Sequence, residues 1–199
     1  LPSPAERVEL ADVARKDLLD AGYVAIGLDH FARSDDSMAI AIQNGDLKRN
    51  FQGYTTDQGE QLIGLGVSSI GRLTQGYIQN MPDVGHWRRA VLKGELPVAR
   101  GLALTTDDLL RGHIIEQLMT NYSSDLEEAC RVFNTDVNTL SASIEQLDDL
   151  IQDGLVELNA NVVTIPTAGR PYVRLAAAAF DAYLDDAESQ TGARHSMAV

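Results

Sequence analysis

The stretch SPAERVELADVARKDLLDAGYVAIGL, Ser3 to Leu28, joins an amphipathic helix directly to a short apolar strand, and that order decides the fold class. Ser3 stands at an N-cap position, Pro4 at the first helical position and Glu6 three residues past the cap, which together make a capping box. Leu10, Ala14, Leu18 and Ala21 recur at helical spacing, and Gly22 suits the position just past the helix end. Tyr23 to Leu28 (YVAIGL) then reads as a strand buried on both faces, as in a parallel sheet. The pair predicts an α/β unit. In α/β folds sites are built just past the carboxyl ends of strands, which makes Asp29-His30-Phe31-Ala32-Arg33 a site candidate.

Further along, LIGLGVSSIG (Leu62 to Gly71) is a second apolar run, predicted to be buried, whose glycines at 64, 66 and 71 would let a backbone or a ligand come close. Its G-x-G spacing is not a dinucleotide fingerprint, because the third glycine is misplaced and no acidic residue follows at the required distance. Between the two runs lies RNFQGYTT (Arg49 to Thr56), which reads as loop and suits either a structural turn or an aromatic pocket wall. At GELPVAR (Gly94 to Arg100) strand–helix alternation stops, and a domain boundary is expected near residue 100, with domains 1–100 and 101–199.

The second part reads as helices with a late hairpin. A capped helix starts at Thr105 with Leu109, Ile114 and Leu118 inward; DLEEACRVF is a shorter one; a third runs from Val137 to Asp153 with Leu140, Ile144, Leu147 and Ile151 inward and Gly154 as its stop. LVELNANVVTI reads as a hairpin about Asn159-Ala160-Asn161, and a last helix runs from Arg170 to about Ala187 with Val173, Ala177, Phe180 and Leu184 on one face. Three helices and a hairpin is the order of a winged helix. The third helix, however, carries Glu145, Asp148, Asp149 and Asp153 and no Lys or Arg, so phosphates would repel it. The tail SQTGARHSMAV is expected to fray.

Composition narrows the function classes. The formal net charge of −13 opposes nucleic-acid binding. No apolar run approaches the roughly 18 to 20 residues of a membrane span, and the first residues do not form a secretory signal, so no membrane partner and a cytoplasmic location are expected. Cys130 is the single cysteine, expected in a helix core, so this chain by itself builds neither a disulfide nor a cysteine-held iron–sulfur centre. His30, His86, His113 and His195 show no metal-motif spacing, and the metal expectation is none. His30, at a strand end, suits either a packed structural role or proton handling. Asp35 and Asp36 read as a solvated turn or a helix cap. Arg33, Lys48 and Arg49 suit surface ion pairs or the neutralisation of a carboxylate-bearing ligand. The chain starts at Leu1 on what reads as an interior helix, which suggests a fragment.

GYVAIGLDHFAR, DLKRNFQGYTT, LIGLGVSSIG and ALTTDDLLRGHIIEQLM, in this order, resemble the carboxyl-terminal half of the oxygen-independent coproporphyrinogen III oxidase family, radical S-adenosylmethionine enzymes of heme biosynthesis. The resemblance implies an α/β plus α fold: the last strand–helix units of a partial TIM-type barrel over 1–100, its N-terminal part absent, then a winged-helix-like domain over 101–199. It implies oxidative decarboxylation of two propionates of coproporphyrinogen III to vinyls, giving protoporphyrinogen IX, by a radical that a [4Fe–4S] cluster makes from S-adenosylmethionine. The family's three-cysteine cluster motif has no counterpart here, so the ligands would lie upstream of Leu1 and this chain alone would be inactive. By position Ile70 matches a residue lining the S-adenosylmethionine site, and Phe51 and Gln52 match a segment beside it. His30 and Arg33 become catalytic candidates facing one mouth. The parent enzyme is expected to be monomeric and this piece to self-associate. Two other readings stay open: a heme-binding relative without oxidase activity, and a stand-alone winged-helix interaction module.

Overall fold

The computed structural model describes residues 2–50 and 53–184. By packing, the chain divides into two compact units, one formed by its first part up to Thr56 together with the part from Leu110 onward, the other by Asp57–Leu109. The division expected near residue 100 is therefore displaced. Residue 100 falls inside a strand, Val98–Ala103, whose pairing continues on both sides of that position, with a register shift opposite Gln79 and Asn80.

In the first unit, helix α1 (Pro4–Asp20) opens with the expected capping box: the Ser3 hydroxyl accepts from the Glu6 N–H, and the Glu6 carboxylate accepts from the Ser3 N–H at 2.7 Å. None of its residues is buried, and Val8, Leu10 and Val13 are exposed. Strand β1 (Tyr23–Ile26) follows and pairs antiparallel with β2 (His30–Arg33), from Tyr23↔Arg33 to Ile26↔His30. This corrects the expectation of a parallel, doubly buried strand. A parallel partner needs a crossover of about a dozen residues, whereas only Gly27, Leu28 and Asp29 separate β1 from β2, with Gly27 at φ +57°. DHFAR is thus the turn and return strand of a hairpin, not a loop past a sheet edge.

Helix α2 (Ser37–Asn44) is capped by Asp36, whose carboxylate accepts from the Met38 N–H at 2.8 Å, as the cap reading of Asp36 requires. Strands β3 (Lys48–Asn50) and β4 (Gly53–Thr55) form a second antiparallel hairpin, so the flanks of RNFQGYTT are regular structure rather than loop. Ile26, Ala32, Ala39, Leu47 and Tyr54 make a small core beneath these hairpins.

The second unit holds the antiparallel sheet β5 (Ile70–Leu73), β6 (Gly76–Asn80) and β7 (Val98–Ala103), with α3 (Val84–Leu92) between its last two strands. LIGLGVSSIG is not the buried run expected: Ile63 is 70% and Leu65 88% exposed. Its glycines do serve a close approach, of backbone to backbone. A Cβ at Gly64 would lie 2.8 Å from the Ile70 carbonyl oxygen, and one at Gly71 2.9 Å from that of Leu62.

Helix α4 (Thr106–Asn121) is followed by β8 (Ser123–Asp125) and α5 (Leu126–Val132). The predicted third helix is broken: a 3₁₀ turn (Val137–Leu140), then α6 (Ser141–Glu145) and α7 (Asp148–Gln152), joined through right-handed but tightened turns at Gln146 and Leu147. Its inward set survives the break, with Leu140 and Leu147 fully buried and Ile144 and Ile151 half-buried. The hairpin β9 (Glu157–Asn159) and β10 (Val162–Thr164) forms as predicted, and β10 also takes β8 as a third strand.

The last predicted helix is a 3₁₀ turn (Thr167–Tyr172), with Pro171 inside it, leading into α8 (Val173–Ala178). Residues 185–187 of that prediction and the tail with His195 lie outside the described residues. Leu110, Ile114, Leu118, Leu140, Val173 and Phe180 centre the main core, which also encloses Cys130 as expected. No helix among the described residues is long and apolar enough to cross a membrane.

Candidate functional site

A recess of about 210 Å³ opens in the first unit where the β1–β2 turn, the β3–β4 hairpin, the end of α4 and α8 meet. Tyr54 is its fixed centre. The phenol oxygen accepts from the Leu28 N–H at 3.0 Å and donates to the Met119 carbonyl at 3.0 Å, which ties β4 to both neighbouring elements. The imidazole of His30 meets the Tyr54 ring edge-on, with centroids 5.3 Å apart, and its Nδ1 is 2.8 Å from the Asp29 carboxylate. The guanidinium carbon of Arg49 stands 5.8 Å from the same ring centroid, within cation–π reach. Arg174 closes the rim from α8.

Gly53, at φ +123°, gives the recess room on one side. A Cβ there would sit 3.4 Å from His30 Nε2, so the bare backbone leaves that nitrogen facing open space.

The anticipated residues are only partly brought together. His30 lines the recess, and so does Arg49 from the basic group read as able to neutralise a carboxylate. Arg33 does not. Three positions from His30 on one strand, it faces the opposite side and is drawn to solvent by Asp35, at 3.1 Å. The idea that His30 and Arg33 share a mouth is therefore replaced by His30 with Arg49 and Arg174. Ile70 opens strand β5 in the other unit and is 38% exposed. Phe51 and Gln52 lie outside the described residues. Arg174 and the anchoring role of Tyr54 were not anticipated; the one available signal was the tyrosine within an otherwise polar hairpin.

The other histidines among the described residues have structural surroundings. His113 packs its ring against Phe133, with centroids 5.7 Å apart, and burial holds its pKa below the ordinary histidine value. His86 sits beside the Asp83 cap of α3 on the surface. Cys130 is sealed in the core, so the chain's own thiol does not fit a cluster ligand.

Beside the recess, a larger one of about 490 Å³ is bordered by Tyr122 and Arg170. Tyr122 donates to the Gly27 carbonyl, and the Arg170 guanidinium stacks over its ring at 4.6 Å. Burial pushes the Tyr122 phenol up to about 12, and raises that of Tyr54 as well. Up to pH 10, the ordinary tyrosine value, folded and unfolded chains hold the same phenolic protons and the pair leaves stability unchanged. Between pH 10 and about 12 the unfolded chain releases protons that the folded one keeps, so stability falls as pH rises through that window. Urea midpoints at increasing pH are expected to show this fall and Tyr122→Phe to flatten it; an equally steep fall in the variant would contradict the assignment.

No protein-family model matches the chain. Over all 199 residues it is 45% identical to an oxygen-independent coproporphyrinogen III oxidase of Bradyrhizobium diazoefficiens, of which it covers 43%. It is 37% identical over 195 residues to the enzyme of that name from Pseudomonas aeruginosa, covering 42% of it. Among solved structures, coproporphyrinogen III oxidase from Escherichia coli, described as a radical SAM enzyme, superposes with a TM-score of 0.87 at 34% identity, over 92% of this chain and 43% of that one. The chain thus spans less than half the length of these relatives. By sequence and by its mixed α/β structure, the chain is similar to the C-terminal half of the oxygen-independent coproporphyrinogen III oxidases.

Proposed function

We propose that this chain is the C-terminal part of an oxygen-independent coproporphyrinogen III oxidase, a soluble enzyme that turns two propionates of coproporphyrinogen III into vinyls. The observation that carries the reading is the match along the entire chain, at 45% identity to one such enzyme. Every strand pair among the described residues is antiparallel. The parallel strands of a radical SAM barrel are therefore assigned to the part of the relatives that this chain does not span. The order α4, β8, α5, α6 with α7, then β9 and β10 supports a winged-helix reading of the C-terminal part. With Glu145, Asp148 and Asp149 on the surface of its third helix, that module serves packing rather than nucleic acid.

In the whole enzyme, S-adenosylmethionine bound with a [4Fe–4S] cluster would supply radical chemistry for the propionate oxidation. The cluster ligands lie outside this chain. Ile70, exposed at the start of an edge strand, suits an apolar contact for the adenosyl group.

Anaerobic reconstitution of the full-length protein with iron and sulfide tests the reading directly. Cleavage of S-adenosylmethionine with formation of protoporphyrinogen IX is expected. Cluster assembly and heme binding without that product would move the chain to the heme-binding relatives.

A further inference from the structure

The chain carries a formal net charge of −13, yet His30, Arg49 and Arg174 converge on one small recess. The carboxylates nearby are engaged elsewhere. Glu116 accepts from the backbone N–H of Arg49 at 3.2 Å, and Asp29 holds His30 Nδ1. Among the described residues no carboxylate forms an ion pair with the guanidinium of Arg49 or Arg174. The two guanidinium groups and the imidazole instead line a recess centred on a tyrosine ring that two hydrogen bonds hold still, and Gly53 adds no side chain beside His30 Nε2. Asp29 also lines the recess and is held by His30 Nδ1, but neither guanidinium has an ion-pair partner among the described residues, which leaves the arginine side arranged for an anion from outside.

Its size limits what enters. A volume of about 210 Å³ is below the roughly 300–1,000 Å³ of pockets that enclose whole ligands. A macrocycle stays out while one short acidic arm fits. A planar carboxylate also matches the forked donors of arginine, a bidentate fit that a lysine's point charge would not offer.

We propose that this recess is a carboxylate site, in which Arg49 and Arg174 grip one propionate of the substrate and His30 Nε2 provides a third polar contact. The proposal rests on reading the chain as part of a coproporphyrinogen III oxidase. It gives α8, in the helical C-terminal part, a direct hand in substrate specificity: the arginine that completes the site comes from there. No bond is made or broken at this subsite; it positions the tetracarboxylate and lets the reacting arm lie elsewhere.

The test uses the full-length, reconstituted enzyme with Arg174→Gln, Arg174→Glu, Arg174→Lys and, as a control on the opposite face of β2, Arg33→Gln. Losing a charge-assisted contact is expected to raise KM for coproporphyrinogen III roughly tenfold in Arg174→Gln with kcat within about twofold. Arg174→Glu raises it further, Arg174→Lys recovers part of the loss, and Arg33→Gln leaves it unchanged. KM unchanged in Arg174→Gln and Arg174→Glu, or an equal rise in Arg33→Gln, overturns the subsite while leaving the oxidase reading intact. If the wild-type enzyme yields no product, that reading fails on its own. Fluorescence titration with coproporphyrin III then decides the anion site separately: affinity lost in Arg174→Glu supports it, and affinity unchanged overturns it.

Discussion

Alanine at position 27 is expected to destabilise the protein by about 2–5 kcal/mol, a large share of a domain's total stability. Two costs add. Gly27 sits at φ +57°, where a side chain costs roughly 1–2 kcal/mol. The new Cβ would also lie 1.9 Å from Tyr54 Cζ and 2.2 Å from its hydroxyl oxygen, so the ring would have to move. It has little freedom to do so, being buried and hydrogen-bonded to Leu28 and Met119. Overpacking of this kind costs about 1–3 kcal/mol.

The check is the urea midpoint at unchanged m-value, beside Gly45→Ala as a reference. Gly45 has a similar φ of +75° with open space around it, so only the conformational cost of roughly 1 kcal/mol is expected there. Equal losses at both positions would mean that the Tyr54 contact does not matter. A displaced Tyr54 ring would also shift His30 and Arg49, so weaker coproporphyrin III binding is expected to accompany the lost stability.

Phe180→Ala is the other large effect, expected at about 3–5 kcal/mol. Phe180 is fully buried in the main core with Leu110, Leu140 and Val173. The surrounding chain is cross-tied, which limits collapse into the void: the Arg111 guanidinium donates to the Ser143 hydroxyl at 3.0 Å and to the Phe180 carbonyl at 3.4 Å. Phe180→Leu keeps the site filled and is expected to cost under about 1.5 kcal/mol. Thermal and urea unfolding of the two variants measure this, and a loss in Phe180→Ala no larger than in Phe180→Leu would show that the core relaxes around the gap. Because α8 is anchored by this ring and carries Arg174, the alanine variant should also bind the tetracarboxylate more weakly.

The helical part of this protein was written locally. Thr105 and Asp108 cap each other at the start of α4, through a Thr105 N–H to Asp108 bond of 2.8 Å, and the apolar spacing that follows places Ile114 and Leu118 in the core. Caps, periodicity and the Asn159-Ala160-Asn161 turn act over a few residues, so the chain's order displays them. Cys130 and Asp36 could be placed on the same grounds, since burial in an amphipathic helix and capping of the next one are short-range matters.

What the order could not display was how strands return and which side chains meet. An apolar hexapeptide serves a parallel sheet or a hairpin equally well; the three-residue connection at Gly27 and the ladder to His30–Arg33 settle which. That ladder puts Arg33 and His30 on opposite faces, although they are neighbours along the chain. Arg174, remote in sequence, reaches the recess only because the core around Phe180 seats α8 there. The sequence by itself determined helices such as α1 and α4 with their caps, core residues such as Ile114 and Leu118, and the kinship. The tertiary structure decided strand direction, unit boundaries and the trio of His30, Arg49 and Arg174, because those depend on hydrogen bonds and packing between distant segments.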